Sequence, residues 1–462
     1  MVNMWCFIIA SVLSLVAADR DNLPPTCDSL IYCHGPLLHT VQMAGLYNDS
    51  KTFVDMKIKF SPNITLEHFR KMMERLYPME PTKADIQEFV NQNFDPEGSE
   101  FEDWRPTDWK DNPAFLQRIK DPLLHQWASD LNRLWLELGR KMKEDVKKNQ
   151  DLYSIIYVDN PVIVPGGRFR EFYYWDSYWI IQGLLLSEMR STARGMVSNF
   201  LDIVDRIGLI PNGGRIYYVM RSQPPLLIPM VQSIMEDSFD IDFLKQHIHI
   251  LDKEFDFWMK NHTVEVEHDG ENLVSAPTNF GPVRDLVLWH EDVGVWLDYS
   301  LESKRRRDYF YPSNVAPLWT GSYDKARTEY FVRRVINYLD KVKVDIYEGG
   351  IPTTFEHSGE QWDYPNAWPP LQYIVVTGLA NTKLPEATRL AYEMATKWVR
   401  SNFEVWKQKT AMLEKYDATI FGGYGGGGEY VLQTGFGWTN GVVMALLNRY
   451  GGERYTTLFT GT

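Results

Sequence analysis

The stretch Pro165–Tyr178, PGGRFREFYYWDSY, carries the densest combination of chemical groups in the sequence. Gly166 and Gly167 permit a tight or left-handed turn, and Trp175 followed by Asp176 sets an aromatic plane beside a carboxylate. A tryptophan can stack on the apolar face of a sugar ring while a neighbouring carboxylate accepts hydrogen bonds from the ring hydroxyls. The same residues also fit a capped helix start beside an aromatic core patch, so this stretch alone leaves both interpretations open.

Two other segments repeat this mixture of aromatic and polar residues. The first is PNGGRIYYVMRSQPP at residues 211–225, and the second is QWDYPNAWPP at residues 361–370, which contains Trp362–Asp363. Long connections of this kind in a compact domain are usually functional. The first segment offers four polar side chains to a ligand: Asn212, Arg221, Ser222 and Gln223.

A third segment, EKYDATIFGGYGGGGEY at residues 414–430, places Glu414 and Glu429 on either side of a glycine tract. The tract is compatible with a plain linker, but the flanking carboxylates favour a loop that closes over a ligand.

Helical periodicity dominates the remaining sequence. Apolar residues recur at helical spacing in residues 66–76, 124–138 and 385–398, and few alternating strand patterns occur. This pattern predicts an all-α class. No composition shift marks a linker, so we expect one domain over residues 19–462, in which inner and outer rings of helices gather their loops around a pocket.

Composition excludes several functions. The chain has 462 residues, 44% of them apolar and 24% charged, which is typical of a globular protein with a large core. Its 61 acidic and 48 basic residues give a net charge of -13, which argues against a nucleic-acid partner. No metal-binding, phosphate-binding or nucleophile-elbow motif is present, so we expect no metal and no cofactor. Abundant carboxylates favour glycoside hydrolysis, which needs one carboxylic acid and one carboxylate.

The N-terminal residues predict export. Residues 1–18 contain an apolar run that ends in small residues, which indicates a cleaved signal peptide rather than a buried N-terminal helix. No other run is long enough for a stable membrane span, so we expect a secreted, extracellular protein. Cys27 and Cys33 then form an even pair, which favours a local disulfide over two free thiols. Three sequons fit the same compartment, at Asn48, Asn63 and Asn261.

At this point a family resemblance is clear. PGGRFREFYYWDSYW and QWDYPNAWPP resemble the two signature motifs of the trehalases, and GGGGEY followed by GFGWTNG is similar to their C-terminal motif. The resemblance is closest to secreted animal forms, especially those of insects. It implies an (α/α)6 toroid and inverting hydrolysis of α,α-trehalose to two glucose molecules without a cofactor, so the expected partner is this small sugar.

The resemblance also implies roles for individual residues. Glu414 matches the catalytic base that activates water. The planar donors of Arg168 and Arg221 would clamp sugar hydroxyls. The complete set that matches sugar-binding positions of the family is Arg168, Trp175, Asp176, Asn212, Arg221, Ser222, Gln223 and Glu429.

The sequence departs from the family pattern at the Pro282/Val283 junction. SAPTNFGP, which ends at Pro282, is similar to the approach to the family's Arg-Pro-Glu substrate loop, but the following VRDLVLWHEDVGVWLDY resembles a much later helix end. The family's Gly-Trp-Asp-Phe-Ser-Ser-Arg-Trp element, whose Asp is the general acid, is also missing. We therefore expect an internal deletion of about a hundred residues, through a skipped exon or a gene-model error, and an incomplete toroid.

Three hypotheses follow for this chain. It is a working trehalase with an acid supplied from elsewhere, a folded sugar-binding relative without turnover, or a truncated product that is unstable. The last two are favoured, because losing a general acid lowers a rate by about 10² to 10⁴. Losing helices also exposes apolar faces in a fold whose total stability is about 5 to 15 kcal/mol.

Overall fold

The computed structural model describes residues 25–268, 271–275 and 282–452. The predicted signal peptide, residues 1–18, lies outside the described residues, as do residues 276–281 just before the Pro282/Val283 junction. Most of the described chain is helical, which confirms the predicted all-α class. Among the described residues, no helix combines the length and apolar character needed to cross a bilayer.

The helices span most of the described chain. In chain order they are α1 (Pro36–Met43), α2 (Lys51–Val54), α3 (Pro62–Leu76), α4 (Lys83–Asn93), α5 (Pro122–Leu138), α6 (Glu144–Lys148), α7 (Tyr174–Leu186), α8 (Arg190–Ile207), α9 (Leu227–Asp237), α10 (Ile241–Asn261), α11 (Pro282–Leu288), α12 (Ala316–Thr320), α13 (Thr328–Lys341), α14 (Pro369–Asn381), α15 (Pro385–Lys409) and α16 (Gly437–Tyr450). The three apolar stripes of the sequence lie on α3, α5 and α15, as their periodicity predicts.

The strands are short and pair in small antiparallel ladders. They are β1 (Lys57–Ile58), β2 (Phe94–Asp95), β3 (Phe101–Glu102), β4 (Gly139–Met142), β5 (Val162–Ile163), β6 (Val264–His268), β7 (Glu271–Ser275), β8 (Trp289–His290), β9 (Val295–Trp296), β10 (Tyr299–Ser300), β11 (Arg305–Arg306), β12 (Asn366–Ala367) and β13 (Tyr416–Asp417). The described pairs are β1–β2, β3–β4–β5, β6–β7, β8–β9, β10–β11 and β12–β13. The β12–β13 pair joins the QWDYPNAWPP segment to the EKYD segment, with Asn366 opposite Asp417.

The structure divides the chain into two compact units. The first comprises the described residues up to Glu100 together with Glu144–Tyr157 and Gly214–Arg221, and the second comprises Phe101–Lys143, Val158–Gly213 and the described residues from Ser222 onward. The expectation of one domain stays a prediction.

The first unit combines an apolar core with a buried ion network. Its core includes Phe53, Val90 and Phe94. The fully buried Arg215 pairs with Glu100 at 2.6 Å, and with Asp55 at 3.5 Å. Mutual pairing offsets the cost of removing these charges from water. At the edge of this unit, Cys27 and Cys33 form a disulfide with their Cα atoms 5.5 Å apart.

The second unit is built on a close contact between α7 and α16. A Cβ on Gly441 would lie 1.9 Å from the carbonyl oxygen of Trp179, and one on Gly183 would lie 2.5 Å from the ring of Trp135 on α5. Only glycine permits such an approach of two helices without displacing backbone.

Four long connections of the sequence lead directly into helices of this second unit. The segments at 161–179, 208–226, 349–371 and 419–441 end at or just inside the starts of α7, α9, α14 and α16. The last residues of these segments therefore lie at the N-terminal ends of helices that contribute buried apolar residues to the core.

Candidate active site

The PGGRF turn lies against the segment that follows the glycine tract. Gly166 and Gly167 have positive φ angles of 121° and 58°, as their sequence context predicts. A Cβ on Gly167 would lie 2.2 Å from Oε1 of Gln433, and the backbone N–H of Arg168 donates a hydrogen bond to that oxygen at 2.8 Å. The turn thus fixes Arg168 next to a segment 265 residues further along the chain.

Glu414 lies at the centre of the candidate site. Its side chain is only 2% exposed, and the Tyr430 hydroxyl donates a hydrogen bond to Oε1 at 2.7 Å. Within the described part of the chain, Oε2 accepts no hydrogen bond. The backbone N–H of Glu414 donates to the carbonyl of Gln433 at 3.0 Å, which fixes the main chain.

Burial and the nearby polar groups have opposite effects on the pKa of Glu414. Burial raises its pKa to about 7, whereas the Tyr430 hydrogen bond and the charges of Lys415 and Arg168 lower it. Desolvation dominates, so this carboxyl changes its charge near neutral pH instead of near its usual range.

Asp176 is the second buried carboxyl of the site. It lies in the first turn of α7 and is 3% exposed. Burial raises its pKa well above the usual value, and repulsion by the carboxylate of Glu414 adds to this effect. Burial and the neighbouring Glu414 thus both favour the protonated form of this carboxyl, and its role as a sugar-binding residue stays a prediction.

Two cationic side chains lie beside aromatic rings in this region. The guanidinium of Arg168 is 4.5 Å from the ring centre of Tyr430. Lys415 is fully buried, with Nζ 5.4 Å from the ring centre of Trp368 and a hydrogen bond to the carbonyl of Gly427 at 3.2 Å. Burial lowers the pKa of Lys415, and the Glu414 carboxylate opposes that shift.

Tryptophans from three of the sequence motifs form one cluster. Trp362 and Trp368 stack with ring centres 3.7 Å apart and planes within 6°. Trp175 lies 5.8 Å from Trp362 and 5.5 Å from Trp438, centre to centre. Trp362 is 39% exposed, so the cluster presents part of an aromatic face outside the core. An exposed indole face suits the apolar face of a sugar ring.

The segment at 211–225 also reaches the start of α7. The side-chain oxygen of Gln223 accepts a hydrogen bond from the Trp175 backbone N–H at 3.0 Å, and the carbonyl of Asn212 accepts one from the Tyr174 N–H at 3.2 Å. Ser222 donates to the carbonyl of Ile210 at 2.7 Å. Asn212, Ser222 and Gln223 therefore belong to the same neighbourhood as Trp175 and Asp176.

Two further predicted binding residues are exposed. Arg221 is the last residue of the first unit, where it is exposed with its guanidinium 4.8 Å from the ring centre of Tyr218. Glu429 is exposed at the end of the glycine tract. Their binding roles stay predictions.

Three residues of the site were not singled out from the sequence. Tyr430 lies inside the GGGGEY motif, and this position is the feature of the sequence that could have identified it as a site residue. Lys415 follows Glu414 directly, but a lysine is rarely buried, and nothing in its neighbours indicates burial. Gln433 carries no local signal, because its contacts with Arg168 and Glu414 arise only in the fold.

The arrangement matches a known family. The sequence model of the family described as Trehalase matches residues 45–279 and 283–451. This chain belongs to the trehalase family. A trehalase from Apis mellifera is 48% identical over 556 aligned positions, which cover 98% of this chain and 89% of the bee protein. Human trehalase is 39% identical over 556 positions, which cover 98% of this chain and 94% of the human protein.

A solved trehalase shares the fold. Neutral trehalase Nth1 from Saccharomyces cerevisiae superposes with a TM-score of 0.51 at 19% identity, covering 64% of this chain and 74% of the yeast chain. This likeness agrees with the (α/α)6 class that the resemblance implies. The chain is thus a trehalase-type glycoside hydrolase by family, and its partner is a small-molecule sugar.

Proposed function

We propose that this chain binds α,α-trehalose in the site around Glu414, and that it hydrolyses the sugar to two glucose molecules at only a small fraction of a full-length trehalase's rate. The buried Glu414 carboxyl, with one oxygen held by Tyr430 and a pKa raised to about 7, carries this proposal. A base whose pKa lies near the working pH has both a substantial ionised fraction and a strong affinity for a proton.

Glu414 fits the role of the group that activates water. Inverting hydrolysis needs a carboxylate on one side of the sugar and a carboxylic acid on the other. Since Tyr430 occupies only Oε1, Oε2 keeps its lone pairs available for a water molecule. The backbone bond to Gln433 and the neighbouring charges of Lys415 and Arg168 would hold this carboxylate in place as it gains a proton.

The sugar would bind between charged and aromatic groups. Arg168 offers planar donors to hydroxyls, Asp176 offers a buried carboxyl, and the Trp175 and Trp362 rings offer apolar faces. Asn212, Ser222 and Gln223 lie near the start of α7 and would complete this set, and we extend it to Arg221 and Glu429 on the family match alone.

The low rate follows from a missing proton donor. Both trehalase alignments extend over 556 positions, and the chain has 462 residues, so at least 94 positions are filled by the relative alone. The family match is interrupted between residues 279 and 283. These observations support a deletion at Pro282/Val283 that removes the family's general acid.

Two aspartates, Asp363 and Asp176, are candidates to replace the missing general acid. Asp363 accepts hydrogen bonds from the hydroxyls of Thr354, at 2.9 Å, and Ser358, so its two oxygens already have partners inside its own loop. Burial, and next the charge of Glu414, raise the pKa of Asp176 well above its usual value. Asp176 is therefore the better candidate for residual proton donation.

We further propose that the protein is exported and glycosylated. The Cys27–Cys33 disulfide supports an oxidising compartment. The sequon residues Asn48, Asn63 and Asn261 are exposed, as a glycan requires. Residues 1–18 would serve as the signal peptide.

Glucose release from trehalose tests the proposal. The secreted chain, checked for helix by circular dichroism, is assayed beside a chimaera that carries the intervening residues of the Apis mellifera relative at Pro282/Val283. We expect the chimaera to be faster by about 10² to 10⁴. Equal turnover of the two would show that this chain already contains its acid, and Asp176→Asn would be the first variant to examine. Sequencing the transcript across Pro282/Val283 decides separately whether a longer reading frame exists.

A further inference from the structure

Two segments of the candidate site are joined through a third one. Arg168 belongs to the turn that begins at Pro165, and Glu414 begins the EKYD segment. Residues 433–439, which include the first turn of α16, contact both segments. These contacts therefore set the distance between the arginine that would hold the sugar and the carboxyl that would activate water.

The contacts of residues 433–439 with the turn are close. The backbone N–H of Gly437 donates a hydrogen bond to the carbonyl of Pro165 at 2.6 Å. A Cβ on Gly166 would lie 2.3 Å from the carbonyl oxygen of Gly435. The turn thus packs directly against backbone, at a separation that only glycine permits.

The contacts of residues 433–439 with the other segment involve three successive carbonyls, those of residues 412–414. The donors and acceptors are the Phe436 N–H with Met412 at 3.1 Å, the Thr439 hydroxyl with Leu413 at 2.6 Å, and the Trp438 indole N–H with Glu414 at 3.1 Å. The main chain that carries Glu414 is therefore held independently of the turn that carries Arg168.

Gln433 takes part in both sets of contacts, but with different groups. Its side-chain oxygen Oε1 accepts the hydrogen bond from the Arg168 N–H at 2.8 Å, and Nε2 donates to the carbonyl of Val431 at 2.7 Å. Its main-chain carbonyl accepts the bond from the Glu414 N–H at 3.0 Å. The side chain is buried, and because each end of the amide has a backbone partner, its orientation is fixed.

We propose that the side chain of Gln433 is a positioning residue for sugar binding, which acts by holding the Arg168 turn in place, and that it has no part in the activation of water by Glu414. This inference rests on the trehalose site proposed above. A substitution that keeps the main chain removes the bond to Arg168 and leaves the carbonyl that holds Glu414. Gln433 therefore affects affinity separately from proton transfer.

The position of the Arg168 guanidinium explains why this hold matters. The guanidinium lies 4.5 Å from the ring centre of Tyr430, and the hydroxyl of that ring donates to Glu414. Without Oε1 of Gln433, the Arg168 N–H loses its acceptor in a partly buried place, which costs free energy unless the turn moves to find water. A moved turn takes the guanidinium away from the ring and from the sugar hydroxyls.

Hydrogen exchange tests the hold without any sugar. Gln433→Met keeps an unbranched side chain of similar length but has no amide oxygen, whereas Gln433→Glu keeps an acceptor. We expect the amide of Arg168, followed in a peptide that spans residues 166–169 of this chain, to exchange at least about 5-fold faster in Gln433→Met. In Gln433→Glu the rate should stay within about 2-fold of the unsubstituted chain.

Gln372→Met is the matched control. Gln372 lies on α14 in the same unit, is buried, and also accepts a backbone N–H and donates to a backbone carbonyl, both of Ile351 at 2.7 Å. It loses the same kinds of bond but does not contact Arg168, so exchange at residues 166–169 should not change. Equal acceleration by Gln372→Met and Gln433→Met would overturn the proposal, since the effect would then be a general loosening of the unit.

A second pair of variants covers the case in which Gln433→Met does not fold. Gln433→Asn is shorter by one methylene group, so its oxygen should not reach the Arg168 N–H, whereas Gln433→Glu should reach it. We expect faster exchange at residues 166–169 in Gln433→Asn alone. Equal protection in the two variants would overturn the proposal.

A double-mutant cycle tests the effect on sugar binding. Titration calorimetry of this chain with trehalose should show an affinity at least about 5-fold weaker in Gln433→Met, and a further change of less than about 2-fold when Gln433→Met is added to Arg168→Ala. The second loss is small because Gln433 acts through Arg168. Equal losses in both backgrounds would show that Gln433 acts by another route and would overturn the proposal.

Turnover separates binding from proton transfer. In the chimaera with the Apis mellifera residues at Pro282/Val283, Gln433→Met should raise KM by at least about 5-fold and leave the acidic limb of kcat against pH in place. A displaced limb would overturn the separation of Gln433 from Glu414. If neither protein binds trehalose, the proposed function fails, while the exchange rates still decide whether Gln433 holds the Arg168 turn.

Discussion

The hydroxyl of Tyr430 donates a hydrogen bond to Oε1 of Glu414 at 2.7 Å, and it is one of the few groups that oppose the effect of burial on this carboxyl. The bond stabilises the ionised form and leaves Oε2 for water. Tyr430 is therefore a positioning residue that sets the pH range in which Glu414 serves as a base.

Removing that hydroxyl should shift the pH range of activity. A hydrogen bond is worth about 1 kcal/mol, so Tyr430→Phe should raise the pKa of Glu414 by roughly 0.5 to 1 unit. The acidic limb of kcat/KM against pH, measured on the segment-restored chimaera, should move upward by that amount. Tyr424→Phe is the control, because Tyr424 is exposed and bonds Gln408. An unmoved limb would remove Tyr430 from this role.

The buried Glu414 carboxyl should make stability depend on pH. Its pKa is about 7 in the folded protein, against an ordinary value of 4.5. Between these values the folded protein holds a proton that the unfolded chain has released, so stability falls as the pH rises and the loss is complete above pH 7. Glu414→Gln removes this cost and should raise the thermal midpoint more at pH 8 than at pH 5.

The exposed Glu393 provides the control for this stability measurement. Glu393→Gln should change the midpoint by a similar, small amount at both pH values. The same increment for Glu414→Gln at pH 5 and pH 8 would contradict a raised pKa.

The substitution Glu414→Gln also tests the catalytic role of Glu414. In the segment-restored chimaera, Glu414→Gln should lower kcat by about 10² to 10⁴, because an amide cannot accept the proton of water. Trehalose affinity should change much less, since the amide has nearly the same shape. Glu393→Gln should leave kcat unaltered. Full turnover by Glu414→Gln would exclude Glu414 as the base.

Sugar binding should depend on Arg168. Arg168→Ala removes planar donors and the contact with Tyr430, so titration calorimetry should show at least a 10-fold weaker affinity for trehalose. Arg221→Ala should weaken affinity as well if the family match holds for that residue. Arg389→Ala on α15, where Arg389 pairs only with Glu393 on the exposed helix face, is the control. Unchanged affinity in Arg168→Ala would refute its assignment to the pocket.

The contact between α7 and α16 predicts a steep cost for a single methyl group. Gly441→Ala would place a Cβ 1.9 Å from the Trp179 carbonyl, so the helices must separate, and we expect loss of the folded state or a fall of more than about 5 °C in the thermal midpoint. Gly426→Ala is the control, because a Cβ there meets nothing within 4 Å. Similar midpoints for the two variants would show that the backbone yields easily at Gly441.

Local patterns were sufficient for the helices and for part of the site. The apolar spacing at 66–76, 124–138 and 385–398 predicted α3, α5 and α15, since a helix with one buried face repeats its apolar residues every three or four positions. The glycine pair before Arg168 permits a tight or left-handed turn, and both residues have positive φ angles.

Contacts between distant segments could not be predicted in this way. Gln433 holds Arg168 from 265 residues away, and Lys415 is buried although its residue type favours the surface. Composition also gave no sign of the first unit, because segments 25–100, 144–157 and 214–221 come together without any change in polarity along the chain. Such features depend on the path of the whole chain, and the spacing of residues within one segment contains no information about that path.

The stacked pair of Trp362 and Trp368 has an optical consequence. Two indoles 3.7 Å apart and within 6° of parallel couple their electronic transitions, and Trp175 lies close enough to modify the coupling. Far-ultraviolet circular dichroism of this chain, where the strong indole transition lies, should therefore contain an exciton couplet that vanishes on unfolding. A sugar that packs against the exposed ring of Trp362 would change the intensity of the couplet. The protein thus contains a natural chromophore that reports occupancy of its site even where no bond is cleaved.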